Sequence, residues 1–210
     1  MTILFDLDGT LIDSTEAILE SFEVALGTFG EVLPNVAAIK AEIGHPLDVM
    51  FRTLGVTEEK VWDHVHAYKQ HYRKISCEKT LLLPSALEAI KLASQHATLG
   101  IVTTKTAEYS REMLEYMGVM HYFDVLIGRE DVTHPKPHPE PVLKAVSKLN
   151  ANTNQCWMIG DTPMDLLAAK AAGIESIAVT CGYADRDTLL EHTENLVPNA
   201  LEAVKFIIEI

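Results

Sequence analysis

ILFDLDGTLIDS, residues 3–14, combines two features that seldom occur together. Its apolar run at 3–5 is typical of a buried β-strand, yet the run leads directly into Asp6 and Asp8 and then Gly9. Two carboxylates at the end of a buried strand cost free energy unless something compensates their charge. We therefore expect Asp6 and Asp8 to serve a function at this strand end.

Composition limits what this protein can be. The chain has 210 residues, of which 48% are hydrophobic, enough for one sizeable core or for one core with a smaller insert. It has neither an apolar run of about 18 residues nor a basic leader, so we expect a cytoplasmic protein without a membrane partner. The three cysteines are widely spaced, which is typical of reduced thiols.

The charge of the chain restricts its partners. The formal net charge is −13, which disfavours nucleic acid because its phosphate backbone would be repelled. An acidic protein that handles an anion also needs a local cation. The sequence leaves both a monomer and a homodimer open.

Short apolar runs alternate with helical patterns over most of the chain. This alternation predicts an α/β fold with a parallel sheet core and helices on both faces. The predicted strands are 3–7, 98–103, 124–128, 156–160 and 176–180. The predicted helices between them are 85–96, 107–117, 140–149 and 164–172.

Residues 14–80 break this alternation, because they contain only helical patterns. Four helices are predicted there: one from about residue 15 to Phe29, then 35–43 and 46–54, and a fourth that starts after Thr57. We therefore expect an inserted helical cap domain at 14–80 and a core formed by 1–13 and 81–210. The expected hinges are 13–15 and 79–84.

Polar side chains follow several predicted strands at their C-terminal ends. In a parallel α/β sheet these ends form one edge, where ligands bind near a switch in strand order. The side chains concerned are Asp6, Asp8, Thr103, Thr104, Asp161 and Asp165. Each alone has an ordinary structural explanation as a turn, a strand end or a helix cap. Their joint occurrence at strand ends favours a common site.

The composition of this predicted site indicates a metal ion and a phosphate. Several carboxylates within a few ångströms would repel each other strongly unless a cation lies among them. Oxygen ligands without a nearby His or Cys suit Mg²⁺, which can also bridge to a phosphate oxygen. Thr103 can supply a hydroxyl and Thr104 a backbone N–H to the remaining phosphate oxygens.

Two lysines compete to supply a fixed positive charge. Lys136 lies in a proline-rich stretch, THPKPHPEPV, which would hold it rigidly before the helix at 140–149. Lys105 is closer in sequence to Thr103, but it begins a helix and is expected to point to solvent. We favour Lys136, since a group that stabilises charge works best on a preorganised support.

Four motifs in this order resemble those of the haloacid dehalogenase-like hydrolases, in the branch with a helical cap after the first strand. They are DLDGT at 6–10, VTT at 102–104, KPHPEP at 136–141 and GDTPMD at 160–165. The resemblance covers nearly the whole chain and is greatest to phosphoglycolate phosphatases and bacterial pyrophosphatases. It implies a Rossmann-like core, a mobile cap and a phosphoaspartyl intermediate.

The resemblance also implies a role for each motif residue. Asp6 would attack phosphorus, and Asp8 would protonate the leaving oxygen and then activate water. Thr103 would bind the phosphoryl group and Lys136 would neutralise it, beside the turn at Gly9. Phosphate binding is thus expected at Gly9, Thr103, Thr104 and Lys136.

The metal ligands follow from the same motifs. Mg²⁺ would be held by Asp6, by Asp161 and by the backbone carbonyl of Asp8. Asp165 would orient these ligands or Lys136.

The substrate is expected to be a small phosphorylated metabolite, chosen by the cap. Phosphoglycolate and pyrophosphate both stay open. His45 and Arg52, in GHPLDVMFR, are the candidate substrate contacts, although an arginine on a helix is often simply solvated. Ile18 stands where sugar-phosphate mutases of the family carry a His, which disfavours mutase activity.

Two other classes of protein share part of this pattern. A receiver domain also places an Asp, a Thr and a Lys at strand ends, but it needs neither a helical insert nor Asp8 nor GDTPMD. A non-catalytic binding protein could keep the fold, but it would not need every chemical residue intact.

Overall fold

The computed structural model of the chain describes residues 1–209, which form eight strands and ten α-helices. The strands are β1 Thr2–Phe5, β2 Ile12–Asp13, β3 Leu81–Leu82, β4 Thr98–Val102, β5 Val125–Ile127, β6 Cys156–Gly160, β7 Glu175–Val179 and β8 Leu196–Val197. The helices are α1 Thr15–Thr28, α2 Val36–Ala41, α3 Leu47–Thr53, α4 Val61–Ile75, α5 Ala86–Ser94, α6 Ala107–Tyr116, α7 Glu140–Lys148, α8 Pro163–Ala172, α9 Arg186–Leu190 and α10 Ala200–Glu209. Among these described helices, none has the length and apolar character needed to span a membrane.

Six strands form one parallel sheet in the order β5-β4-β1-β6-β7-β8. Side chains on successive residues of a strand point to opposite faces, and both faces of β1 are buried. Ile3 and Phe5 belong to one hydrophobic cluster, and Leu4 belongs to a second cluster with Val102 and Met158. This explains why β1 reads as a continuous apolar run rather than an alternating one.

The sheet has its switch in strand order beside β1. The chain runs from β1 through β4 to β5 on one side and returns to β6 on the other side of β1. The pairing of β1 with β6 continues past the strand, because the Asp6 N–H donates to the carbonyl of Ile159 at 2.9 Å. The ends of β1 and β6 therefore deliver Asp6 and Asp161 to the crevice where α/β proteins bind ligands.

The helices α1 to α4 lie between β2 and β3, and we call this part of the chain the helical insert. Its core is aromatic: the ring centroid of Phe22 lies 4.7 Å from that of Phe51 and 5.1 Å from that of Tyr68. The short antiparallel pair of β2 with β3 stands where the chain leaves and re-enters the α/β core. The insert is therefore tied at its base by two strands.

The predicted α/β fold class is confirmed, and all five predicted strands are present within two residues of their expected bounds. The sequence analysis did not predict β2, β3 or β8, which have only two residues each and carry no periodic signal. It also did not predict α9 and α10, near the C-terminal end of the described residues.

Candidate active site

Three buried carboxylates meet at the C-terminal edge of the sheet. Asp6 follows β1, while Asp161 and Asp165 come from the turn after β6 and the first turn of α8. One carboxylate oxygen from each lies within 4.8 Å of the others. Such a group repels itself in a low-dielectric site, so it needs positive charge nearby.

Lys136 supplies part of that charge. Its Nζ donates to Asp6 Oδ1 at 2.8 Å, to Asp165 Oδ1 at 2.5 Å and to the carbonyl of Val102 at 2.9 Å. Burial by itself lowers the pKa of Lys136, but the charges of Asp165 and Asp6 outweigh it and raise the pKa above its ordinary value. Of the two competing lysines, the structure thus brings the favoured one, Lys136, to Asp6.

Asp161 is held from two sides. Its Oδ1 accepts from the Thr10 hydroxyl at 2.9 Å, and its Oδ2 accepts from the Tyr183 N–H at 2.9 Å. Gly9 and Gly182 close around it: an added Cβ would meet Asp161 Oδ2 at 2.3 Å from Gly9 and at 2.0 Å from Gly182. Glycine at these two positions is therefore required for Asp161 to sit where it does.

Asp165 links the start of α8 to the lysine. Its Oδ2 accepts from the Thr162 N–H at 3.1 Å and from the Thr162 hydroxyl at 2.8 Å, while its Oδ1 accepts from Lys136. The helix cap and the contact with Lys136 are thus two functions of one side chain. This contact is the one that the expected orienting role of Asp165 requires, and the role itself stays a prediction.

Two acids of this cluster, Asp6 and Asp161, have pKa values above the ordinary range. Burial raises the pKa of Asp6 to about 7, an effect that Lys136 opposes and that Asp165 and Asp8 reinforce. Burial, together with the charges of Asp6 and Asp165, also raises the pKa of Asp161 well above its ordinary value. With all three carboxyl groups ionised, the cluster would hold three negative charges against the one positive charge of Lys136, and its oxygen ligands are those that Mg²⁺ prefers. The residues present therefore fit a divalent metal ion.

The side chain of Asp8 faces away from this cluster. Its Oδ1 accepts a hydrogen bond from the Ser14 hydroxyl, and its Oδ2 lies 3.2 Å from Lys105 Nζ. The carboxylate that joins Asp6 and Asp161 within 4.8 Å is that of Asp165, not that of Asp8. Any share of Asp8 in metal binding would therefore fall to its backbone carbonyl.

Lys105 does not point to solvent, and that expectation is wrong. Its Nζ lies between Asp8 and the helical insert, where it donates to the Tyr72 hydroxyl at 2.8 Å and sits 4.5 Å from the centroid of the Tyr72 ring. Burial alone would lower the pKa of Lys105, but Asp8 and Tyr72 raise it. Opposite charge at Asp8 and an aromatic face on α4 together hold this lysine inside the protein.

The two threonines after β4 also lie at this edge. Thr103 is buried, and its hydroxyl oxygen accepts from the Lys105 N–H at 3.1 Å. The Thr104 hydroxyl donates to the carbonyl of Gly44 in the helical insert at 2.9 Å. The insert and the strand ends are therefore in direct contact at Gly44 and at Tyr72.

A cavity of about 270 Å³ opens between the helical insert and the strand ends, and we call it the insert cavity. Asp8, Thr104 and Lys105 form its floor, and His45 is part of its wall. Arg52 is engaged elsewhere, because it donates to Asp48 at 2.6 Å and to Glu58 at 2.5 Å. His45 keeps its place as a candidate substrate contact, whereas the ion pairs of Arg52 give no support to that role.

Several residues of the site were missed in the sequence analysis. They are Thr10, Ser14, Tyr72 and Tyr183, whereas Lys105 was considered there but expected to point to solvent. Tyr72 reads as an ordinary core position of α4, and Tyr183 follows β7 without any motif. Only Thr10 and Ser14 carried a usable signal, because they stand in the same short stretch as Asp6 and Asp8.

The sequence of this chain is similar to those of known hydrolases. The model of the haloacid dehalogenase-like hydrolase family matches residues 3–179, so the chain belongs to that family. It is 37% identical to a pyrophosphatase of Halalkalibacterium halodurans over 88% of this chain and 85% of that protein. It is 29% identical to a phosphoglycolate phosphatase of Salmonella paratyphi A over 93% of this chain and 90% of that protein.

A solved structure shows the same fold. A haloacid dehalogenase-like family hydrolase from Streptococcus pneumoniae superposes with a TM-score of 0.88 at 27% identity, over 98% of this chain and 97% of that one. The helical insert and the α/β core are thus both covered by the match.

Proposed function

We propose that this member of the haloacid dehalogenase-like hydrolases is a Mg²⁺-dependent phosphatase that hydrolyses a small phosphate monoester through a phosphoaspartyl intermediate, with phosphoglycolate as the first candidate substrate. The observation that supports this most is the division between two carboxylates on one strand end. Asp6 lies in the acidic cluster against Lys136, while Asp8 turns toward the insert cavity. This separation supports Asp6 as the nucleophile and Asp8 as the acid on the leaving-group side.

In the first step, an Asp6 oxygen forms a bond to phosphorus while the bond from phosphorus to the leaving oxygen breaks. Asp8 gives its proton to that leaving oxygen, so the product departs with a neutral hydroxyl group. Lys136, Thr103 and the Thr104 N–H stabilise the charge on the phosphoryl oxygens.

In the second step, Asp8 removes a proton from water, and the water oxygen bonds to phosphorus. The bond from phosphorus to Asp6 breaks, which releases phosphate, restores the Asp6 carboxylate and leaves Asp8 protonated for the next cycle. Two in-line displacements on a positioned phosphoryl group replace one difficult hydrolysis.

Asp6, Asp161 and the backbone carbonyl of Asp8 would hold Mg²⁺, and Asp165 would orient Lys136. The bound ion supplies charge neutralisation for the carboxylates and for the phosphoryl oxygens. Thr10 and Tyr183 keep Asp161 in place for this task.

We further propose that residues 14–80 act as a cap domain that closes over a core of residues 1–13 and 81–210. Two contacts would form on closure, Tyr72 with Lys105 and Gly44 with Thr104. Closure excludes water from Asp6 while the leaving group is in place. The cytoplasmic location expected from the sequence stays a prediction.

Release of phosphate from p-nitrophenyl phosphate, with Mg²⁺ and with EDTA, tests the proposal. We expect release that depends on Mg²⁺ and that is abolished in Asp6→Asn, with an unchanged circular dichroism spectrum. A folded wild-type protein that releases no phosphate with Mg²⁺ present would refute the proposal, and it would favour a phosphoacceptor or a binding protein instead.

Pyrophosphate is the second candidate substrate, because a pyrophosphatase is among the similar proteins at 37% identity. Values of kcat/KM for phosphoglycolate and for pyrophosphate, measured side by side, distinguish the two. Faster turnover of pyrophosphate by tenfold or more would replace phosphoglycolate in the proposal.

A further inference from the structure

The insert cavity lies on the leaving-group side of the site. Among the residues that the structure describes, its lining includes Asp8 and Thr104 but not Asp6, Lys136 or Asp161. If Asp6 binds the phosphoryl group and Asp8 protonates the leaving oxygen, the rest of the substrate extends from Asp8 into this cavity. Its size and chemistry therefore describe the leaving group.

The cavity is larger than a compact leaving group needs. Its volume of about 270 Å³ approaches the roughly 300–1,000 Å³ typical of sites for organic ligands. A water molecule takes up about 30 Å³ in the liquid, and glycolate or phosphate is only a few times larger. Either of them would leave most of the cavity filled with water.

The wall of the cavity is mainly apolar and aromatic. Its apolar and aromatic side chains are Ile18, Ile43, Leu47, Met50, Trp62, Val65, Tyr68, Tyr72 and Tyr109. Most of them belong to the helical insert, and Trp62 is half exposed, with 53% of its surface accessible. Water in contact with such a wall is readily displaced by an apolar group, which contributes favourable free energy.

The charged side chains of the wall are balanced in number between acids and bases. They comprise equal numbers of acids and bases: Asp8, Asp48 and Glu130 against Lys69, Lys105 and Arg129. Several are already engaged, since Lys105 lies 3.2 Å from Asp8, Asp48 accepts from Arg52 at 2.6 Å, and Glu130 accepts from the Ala107 N–H at 2.9 Å. Lys69 and Arg129 are the cations of the wall outside these pairs, whereas apolar atoms make up the larger part of the exposed wall. An apolar leaving group would therefore contact more of the wall than an anionic one.

We infer that the preferred substrate is a phosphate monoester whose leaving group carries an aromatic or branched apolar body, rather than phosphoglycolate or pyrophosphate. This inference rests on the proposed phosphatase function and specifies its substrate class. The apolar body packs against α4 and the loop at residues 43–47, with its oxygen at Asp8.

The test compares two alkyl esters that differ in size but have leaving alcohols of similar basicity, ethyl phosphate and 2-phenylethyl phosphate. With Mg²⁺ present, we expect kcat/KM for 2-phenylethyl phosphate to exceed that for ethyl phosphate, phosphoglycolate and pyrophosphate by tenfold or more. An equal or higher value for any of these three compounds would overturn the inference while leaving a phosphatase in place.

A matched pair of variants locates the effect. Trp62→Ala removes an aromatic side chain from the cavity wall, whereas Tyr116→Ala removes an exposed one from α6, outside the lining. We expect Trp62→Ala to reduce the preference for the phenylethyl ester at least threefold and Tyr116→Ala to leave it unchanged. An unchanged preference in both variants would contradict the placement of the leaving group in this cavity.

A binding measurement tests the apolar leaving-group site even if the proposed phosphatase activity is absent. If no ester releases phosphate, the phosphatase proposal fails, and the two alkyl esters are then titrated into Asp6→Asn with Mg²⁺ by calorimetry. Tighter binding of the phenylethyl ester by tenfold would keep the cavity as a site for apolar groups. Equal binding of the two esters would overturn the inference as well.

Discussion

The two sides of the site are built differently. One side, which we call the strand-end wall, consists of Asp6, Lys136, Asp161 and Asp165 and is held by ion pairs and hydrogen bonds. The helical insert faces this wall mainly with aromatic rings and aliphatic side chains. At the strand ends, Lys136 touches two carboxylates and a carbonyl, and Asp161 has a partner on each oxygen. On the insert side, Tyr68 and Val65 stand on α4 without such a network and act through contact area.

This difference indicates that the strand ends carry out the reaction, whereas the helical insert selects the substrate. Removing one member of a buried charge network leaves its partners uncompensated, so the strand-end wall tolerates few changes. An apolar wall can be reshaped at a cost that depends on the area lost. The reaction is therefore tied to the strand ends, while the substrate can change with the helices.

Replacing Lys136 should have the largest effect. Lys136→Met leaves Asp6 and Asp165 without their counter-charge, and we expect kcat to fall by about 10²–10³-fold. Lys205→Met is the control, because Lys205 forms an exposed pair with Glu202. Steady-state kinetics on p-nitrophenyl phosphate measure both variants, and a fall of less than tenfold for Lys136→Met would contradict the role of this network.

The free energy of unfolding should depend on pH, and Mg²⁺ should alter that dependence. The pKa of Asp6 is raised from about 4 in the unfolded chain to about 7, so the folded state binds more protons between these values. The stability of the metal-free protein should therefore fall by up to a few kcal/mol as the pH rises from 4 to 7, and Mg²⁺ should restore more at pH 8 than at pH 6. Urea unfolding at several pH values, with EDTA or with Mg²⁺, measures this free energy of unfolding. If Asp6→Asn has the same pH dependence as the wild-type protein, groups other than Asp6 cause it.

Crowding Asp161 should have an intermediate effect. In Gly182→Ala the new Cβ would stand 2.0 Å from Asp161 Oδ2, so the carboxylate must shift, and we expect kcat/KM to fall by up to about 10²-fold. Gly27→Ala in α1 is the matched control, since a Cβ there meets no atom within 4 Å. If both alanine variants keep full activity, the close fit around Asp161 has no part in turnover.

A change at the contact between Tyr72 of the helical insert and Lys105 should have the smallest effect on activity. Tyr72→Phe removes the hydroxyl that accepts from Lys105 but keeps the aromatic ring. The ion pair of Lys105 with Asp8 stays in place, so we expect kcat/KM to fall by about three- to tenfold. Tyr116→Phe, on an exposed tyrosine, should match the wild-type enzyme. A loss as large as that of Lys136→Met would place Tyr72 in the chemistry itself.

Sequence alone determined the parts that rest on local patterns. The apolar run of β1 and the strands that follow predicted a parallel α/β sheet, and the helical periodicity of 14–80 predicted the insert. The acids after β1 and β6 were predicted to meet, because parallel strands deliver their C-terminal ends to one edge of a sheet. The proline-rich sequence around Lys136 favoured this lysine over Lys105 as the charge that faces the phosphoryl group, and the structure brings Lys136 to within 2.8 Å of Asp6.

Only the tertiary structure decided what surrounds those acids. Nothing local in the sequence shows that Lys105 turns inward, because its burial depends on Asp8 and on Tyr72, 33 residues away. The same holds for the Tyr183 N–H on Asp161 and for the apolar wall of the insert cavity. These features arise where distant segments pack against each other, and the free energy of such contacts is not encoded in the periodicity of any one segment.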